Sequence, residues 1–253
     1  MKVVVVDTIH GQVNMEDLKI KAEKYADNLA AFMITFPSTT GKYEGTIHEM
    51  IETIHKNGGQ VYMDGANMNA QVGYTSPGYL NADVCHLNLH KTFAIPHGGG
   101  GPGMGPIGVK KHLIPYLPTH PFTEKPNSTS LGTLTHSEFS SASILSISYA
   151  YIALLGKAGV RKSTAYALLN ANYLMSRLQP YFKIFCIEGK ERCSHEFIID
   201  MNPLKKTTGV SEEDVAKRLI DFGFHAPTMS FPMPGTLMVE PTESEDKYFF
   251  YYF

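Results

Sequence analysis

The sequence predicts an α/β fold: a parallel-rich sheet flanked by helices, followed by a smaller C-terminal α+β lobe. Three observations carry this expectation. Short apolar or β-branched runs alternate with segments of helical spacing through the first half of the chain. Strands that alternate with helices run parallel, with the helices on the sheet faces. Polar residues fall just past the ends of these runs, where the open edge of a parallel sheet binds its ligands. The last third then carries short strands and a capped helix, the pattern of a small separate lobe.

Taken in order, residues 3–7 form the first expected strand. Residues 15–25 follow as a helix, with Leu18, Ala22 and Tyr25 on one stripe and Asn14 as its N-cap. Residues 29–36 read as a strand and residues 37–41 as a turn. A helix through Ile47, Met50, Ile51 and Ile54 ends at Gly58-Gly59. Residues 60–64 and 84–90 are the third and fourth strands, and 107–110 the fifth. In the fourth, a period of two sets Leu87 and Leu89 on one face and His86, Asn88 and His90 on the other. Buried polar groups need partners, since each unpaired donor costs about 1–3 kcal/mol, so this polar face calls for a ligand or a hydrogen-bond network.

Residues 112–137 are polar and punctuated by Pro115, Pro118, Pro121 and Pro126, which reads as a long irregular crossing. Helices at 141–155 and 161–178 and strands at 182–186 and 196–200 come next. Ser211 to Asp214 caps a helix through Val215, Leu219 and Phe222 that stops at Gly223, and 236–239 is a last strand. The expected division is a partial large domain at 1–137, helices and a small lobe at 138–247, and an aromatic low-complexity tail at 248–253.

Composition narrows the function classes. Charged residues make up 18% and hydrophobic ones 43%, which is globular and not disordered. Lys and Arg number 22 against 24 Asp and Glu, without a basic block, so neither nucleic acid nor an acidic membrane surface is an expected partner. The apolar stretch 144–155 is too short to span a bilayer. Cys85, Cys186 and Cys193 form no CxxC pair, and an odd count speaks for a reducing compartment.

The chemistry concentrates in two places. Val61-Tyr-Met-Asp64-Gly-Ala66 closes one apolar run, and His86-Leu-Asn-Leu-His90-Lys91-Thr92 closes the next, ahead of the glycines at 98–101. A carboxylate and a lysine at adjacent strand ends are what pyridoxal 5'-phosphate requires. The lysine forms a Schiff base with the aldehyde, and the aspartate holds the pyridine nitrogen protonated, which keeps the ring an electron sink. Thr39 lies past a third strand end, toward the same edge. The glycine run could cradle a phosphate or let another chain approach closely, but it lacks the GxxxxGK[ST] of a P-loop. His86 and His90 at i, i+4 would share a metal on a helix but stand too far apart on a strand, so no metal is expected.

At these residues the chain resembles a known family. The segments 59–73, 86–93, 96–108 and 224–231 are similar to those of the pyridoxal phosphate-dependent glycine dehydrogenases (decarboxylating), the P-proteins of the glycine cleavage system. The similarity runs from about Met1 to Lys247. It implies a fold-type-I, transferase-like enzyme in which the cofactor ring takes up electrons as glycine loses CO2. The aminomethyl group then passes to the lipoyl arm of H-protein. By position, Lys91 matches the Schiff-base lysine and Asp64 the ring-nitrogen partner; Ala66 would pack against the ring, with His90 and Thr39 close by.

The implied partners are glycine and lipoylated H-protein, with a homodimer or association with an N-terminal P-protein half. The implied compartment is the mitochondrial matrix in a eukaryote or the cytoplasm in a bacterium. Members of the family are far longer, and a phosphate-side loop and a ring-stacking histidine would precede Met1, so the chain is expected to be a fragment with its own activity in question. Two other readings compete with glycine decarboxylation. One is a non-catalytic remnant that only associates with full-length subunits. The other is a different glycine-acting enzyme of this fold, such as an aldolase or hydroxymethyltransferase, which the glycine run and the 224–231 match disfavour.

Overall fold

The computed structural model describes residues 1–97, 104–122, 129–134 and 139–252, with Tyr251 and Tyr252 described by their backbone alone. The glycine run at 98–101 and Pro126 lie outside the described residues.

The elements run β1 (Thr8–Ile9), β2 (Gln12–Val13), α1 (Met15–Lys24), β3 (Ala31–Thr35), α2 (Ile47–Lys56), β4 (Gln60–Gly65), β5 (Val84–Leu87), α3 (Leu89–Thr92) and β6 (Ile107–Val109). They continue as α4 (Leu145–Leu178), β7 (Lys183–Ile184), β8 (Phe197–Asp200), α5 (Asn202–Thr208), α6 (Glu212–Asp221), β9 (Thr228–Met229), β10 (Thr236–Val239) and α7 (Lys247–Tyr252). Two compact units result. One, the sheet unit, comprises Lys19–Thr35 and Thr46–Val160; the other, the lobe unit, comprises Met1–Leu18, Phe36–Gly45 and Arg161–Phe253.

The sheet unit is built on the strand order β3-β4-β5-β6. The first three strands are parallel, with Thr35 opposite Asp64 and Asp64 opposite His86. The fifth expected strand is present as β6, but it runs antiparallel, with Val84 opposite Val109. Only a crossover connection forces parallel pairing, and among the described residues no helix long enough to cross the sheet lies between β5 and β6. On α2, Ile47, Met50, Ile51 and Ile54 recur at helical spacing and are all buried. β4 alternates strictly: Val61, Met63 and Gly65 are buried, while Tyr62 and Asp64 on the other face are partly exposed.

The strand expected at 84–90 ends at Leu87. The next amide, Asn88 N–H, goes to Ala66 O at 3.3 Å, and Lys91 N–H turns back to Asn88 O at 3.2 Å. The chain therefore coils into the single turn α3, and His90 and Lys91 sit on that turn instead of on a strand face. No strand forms at residues 3–7, because an apolar run becomes a strand only when another offers it a ladder. The helix at 15–25 is present as α1, and Asn14 Oδ1 accepts from the amides of Glu16 and Asp17.

The two helices expected at 141–155 and 161–178 are one element, α4, broken at Gly156 (φ 60°, ψ −179°). By length and composition alone the helical stretch Ala142–Leu178 would suffice to cross a membrane. The break at Gly156 leaves its more apolar first part short of the roughly 20 residues a bilayer requires.

The lobe unit holds an antiparallel sheet ordered β7-β8-β10-β9. Its core gathers Phe197, Ile199 and Leu237 from the strands with Ala171, Leu174 and Met175 from α4. Ser211 and Asp214 cap α6 reciprocally, as the sequence signals. The aromatic tail forms α7, with Phe250 packed against this core and Phe249 edge-on to Phe224 at 4.7 Å between ring centres.

Candidate active site

The candidate site lies at the carboxyl edge of the parallel strands β3, β4 and β5. Asp64 is the penultimate residue of β4, on its partly exposed face. Its Oδ1 accepts the amide of Ala66 at 2.9 Å, which fixes the Asp-Gly-Ala turn. Gly65 can only be glycine here, since a Cβ would stand 2.5 Å from Cys85 Sγ and 2.9 Å from the carbonyl oxygen of His86. This close approach holds the ends of β4 and β5 together.

Beyond the strands, two turns are tied to each other. Ala66 O accepts from Asn88 N–H, and the amide of Met68 donates to Thr92 Oγ1 at 2.9 Å. Leu89, 6% exposed, anchors α3 from below. The turn that bears Asp64 and the turn that bears Lys91 are thus joined on one edge of one unit. The Lys91 side chain is exposed, and its amine makes no hydrogen bond or ion pair among the described residues. His90 is partly buried, with its ring edge-on to His97 at 4.7 Å between centres. Burial, then the neighbouring His97 and Lys91 charges, lower its pKa and favour the neutral imidazole.

Asp64 has further neighbours that a reading of single motifs misses. His86, directly opposite on β5, places Nε2 3.4 Å from Asp64 Oδ1, and its Nδ1 lies 2.9 Å from the Tyr62 hydroxyl. Burial, with the Asp64 and Cys85 charges adding to it, raises the Tyr62 pKa, so the group stays a phenol. Burial first, and Asp64 second, push the Cys85 thiol up to about 11, which removes it as a nucleophile at neutral pH.

Thr39 belongs to the lobe unit. Its neighbours Ser38 and Thr40 share a 2.7 Å hydroxyl contact, and Thr40 donates to Gly11 O at 2.9 Å. The sheet unit thus brings together Asp64, Ala66, His90 and Lys91 without it. A separate cluster in the lobe unit, missed in the sequence, sets His195 Nε2 3.7 Å from both Glu196 Oε2 and Glu240 Oε1. Glu240 joins it from more than forty residues beyond His195 and Glu196, so no spacing announces it.

Comparison with known proteins finds relatives of the chain. A family described as the glycine dehydrogenase C-terminal domain matches residues 163–252. Glycine dehydrogenase (decarboxylating) of Photobacterium profundum is 59% identical over 247 residues, 97% of this chain and 26% of that protein. The mitochondrial glycine dehydrogenase (decarboxylating) of Flaveria anomala is 58% identical over 98% of this chain and 25% of its own length. The chain therefore spans about a quarter of these relatives.

Among solved structures, the P-protein glycine decarboxylase of the glycine cleavage system superposes with a TM-score of 0.76 at 17% identity, covering 99% of this chain and 57% of that one. Alanine–glyoxylate aminotransferase from Nostoc sp. does so at 0.65 and 15%, covering 95% and 63%. At such identities the likeness concerns the fold, which is that of the fold-type-I pyridoxal phosphate enzymes.

Proposed function

We propose, for a chain that belongs by sequence with the glycine dehydrogenases (decarboxylating) and spans about a quarter of their length, that it carries the lysine–aspartate half of a pyridoxal phosphate site. In this reading the site serves glycine decarboxylation, with transfer of the aminomethyl group to the lipoyl arm of H-protein. The observation that carries this reading is the joining of the Asp64 and Lys91 turns on one sheet edge.

The donor set fits the cofactor. Lys91 offers an exposed primary amine engaged in no ion pair among the described residues. Asp64 has one oxygen anchored by the Ala66 amide, and Oδ2 accepts no hydrogen bond among the described residues. When bound, pyridoxal phosphate supplies an electron sink for the charge left as CO2 departs.

The residues do the rest. Lys91 Nζ would anchor the cofactor through its aldehyde, and Asp64 Oδ2 would keep a proton on the ring nitrogen. Ala66 would pack against one ring face. His90, kept neutral by its surroundings, can take or return a proton beside Lys91. The further partners in this reading are lipoylated H-protein and either a second copy or an N-terminal P-protein half. Its compartment follows its relatives, the mitochondrial matrix or a bacterial cytoplasm.

Glycine added to the cofactor-loaded chain is expected to change the cofactor's visible absorbance saturably. A loaded chain whose spectrum ignores glycine would overturn the assignment of substrate and favour a remnant that only associates with other subunits.

A further inference from the structure

We propose that Tyr62 and His86 are positioning residues that decide which oxygen of Asp64 faces the pyridine nitrogen, an inference that rests on the pyridoxal phosphate reading above. The strand pattern creates the arrangement. Alternation along β4 puts Tyr62 and Asp64 on the same face, and the parallel register sets His86 directly opposite Asp64.

The hydrogen-bond directions follow from chemistry. Tyr62 is a phenol whose ionisation is suppressed by burial and by the Asp64 and Cys85 charges, so it is competent to donate through its O–H. Donating across 2.9 Å requires a bare lone pair on His86 Nδ1. The ring proton then resides on Nε2, the nitrogen 3.4 Å from Asp64 Oδ1. The same oxygen takes the Ala66 amide at 2.9 Å.

The Ala66 N–H therefore bonds to Oδ1 and His86 Nε2 lies beside the same oxygen at 3.4 Å, while Oδ2 has no donor among the described residues. A carboxylate held in this way cannot rotate freely, and its open oxygen is left for the ring N–H. In the reverse tautomer, Nε2 would turn a lone pair toward the carboxylate and repel it. Tyr62 thereby acts on the cofactor through two intervening groups without touching it.

Two readouts test this on the full chain. In the cofactor-free chain with 15N-labelled histidine, His86 should show Nδ1 bare and Nε2 protonated. Tyr62→Phe should convert it to a mixture of tautomers, a change that loss of packing alone would not select. In the chain loaded with ring-15N pyridoxal phosphate, the ring nitrogen should be protonated. It should lose that proton in Asp64→Asn, lose it wholly or in part in His86→Leu, and keep it in His86→Gln, whose amide still donates.

If Asp64→Asn strips the proton and His86→Leu does not, the relay is wrong while the cofactor reading stands. If Asp64→Asn itself leaves the ring protonated, Asp64 is not the partner and both readings fall. Should His86→Leu not fold, the tautomer measurement still decides: a parent His86 protonated on Nδ1 overturns the proposal.

Discussion

Asp64 and Asp83 lie at opposite ends of the same strand pair, and their surroundings give them opposite work. Asp83, 3% exposed, receives Val61 N–H at 2.7 Å and His55 Nε2 at 2.6 Å on Oδ2, and Lys110 Nζ at 2.9 Å on Oδ1. Burial opposes its ionisation, but hydrogen bonds from Lys110, Val61 and His55 outweigh that and hold its pKa below the ordinary value. It clamps α2, β4 and β6 to the start of β5. Asp83→Asn leaves Lys110 without its buried counter-charge and should cost about 3 kcal/mol, the lower end for breaking a buried pair, read as a lower urea midpoint.

The pH dependence has a definite sign. A depressed carboxylate contributes its stability above its unfolded pKa, about 3.9, and loses it as pH falls through the folded value. The gap between parent and Asp83→Asn should therefore close as the pH drops below about 4. A gap unchanged between pH 7 and pH 3 would show that Asp83 acts by shape and not by charge.

At this scale the sequence put forward Asp64, Ala66, His90 and Lys91 from residue type and flank, and the turns that bear them meet on one sheet edge. It was silent on Tyr62, His55 and Lys110. The role of Tyr62 depends on cross-strand register, where a shift of one residue would turn it to the opposite face, while His55 on α2 and Lys110 past β6 meet Asp83 only through tertiary packing.

Among the elements, α4 shows how one residue's backbone shapes a long helix. Gly156 adopts φ 60° and ψ −179°, a conformation open almost only to glycine, and no atom lies within 4 Å of where a Cβ would be. The penalty of Gly156→Ala is thus backbone strain alone. It should destabilise the fold by about 1–3 kcal/mol, seen as a lower thermal midpoint. An unchanged or higher midpoint would mean that α4 can straighten through this position without loss.

The stripe on α2 and the capping box of α6 were readable, because spacing and cap chemistry are local. The direction of β6 was not, since three residues, Ile107-Gly-Val109, carry no mark of parallel or antiparallel pairing. The apolar residues 3–7 read as a strand by propensity, but pairing decides the matter, and Val3 and Val5 stay exposed. The turn α3 was hidden for the same reason: it forms because Asn88 N–H leaves the ladder for Ala66 O.

At the scale of the whole chain, the alternation of elements conveyed the fold class, which the likeness to fold-type-I enzymes bears out. The composition of the lobe unit was less visible, because residues 1–18 and 36–45 join it from far away in sequence. The six-aromatic end of the chain reads as low complexity, yet its residues 248–252 lie in α7, which sets Phe249 and Phe250 against Phe224 and the lobe core. Exposed Leu154 and Tyr149 on the first part of α4 stand in contrast to the buried stripe Ala167, Ala171, Leu174 and Met175 on its second part.

The central claim is that one lysine at the sheet edge, Lys91, holds the cofactor. The measurement that tests it most directly is borohydride reduction of the chain incubated with pyridoxal phosphate, followed by peptide mapping. The phosphopyridoxyl label should appear on Lys91 and disappear in Lys91→Ala. A label carried by Lys110 or Lys111, with Lys91 unmodified, would contradict the account.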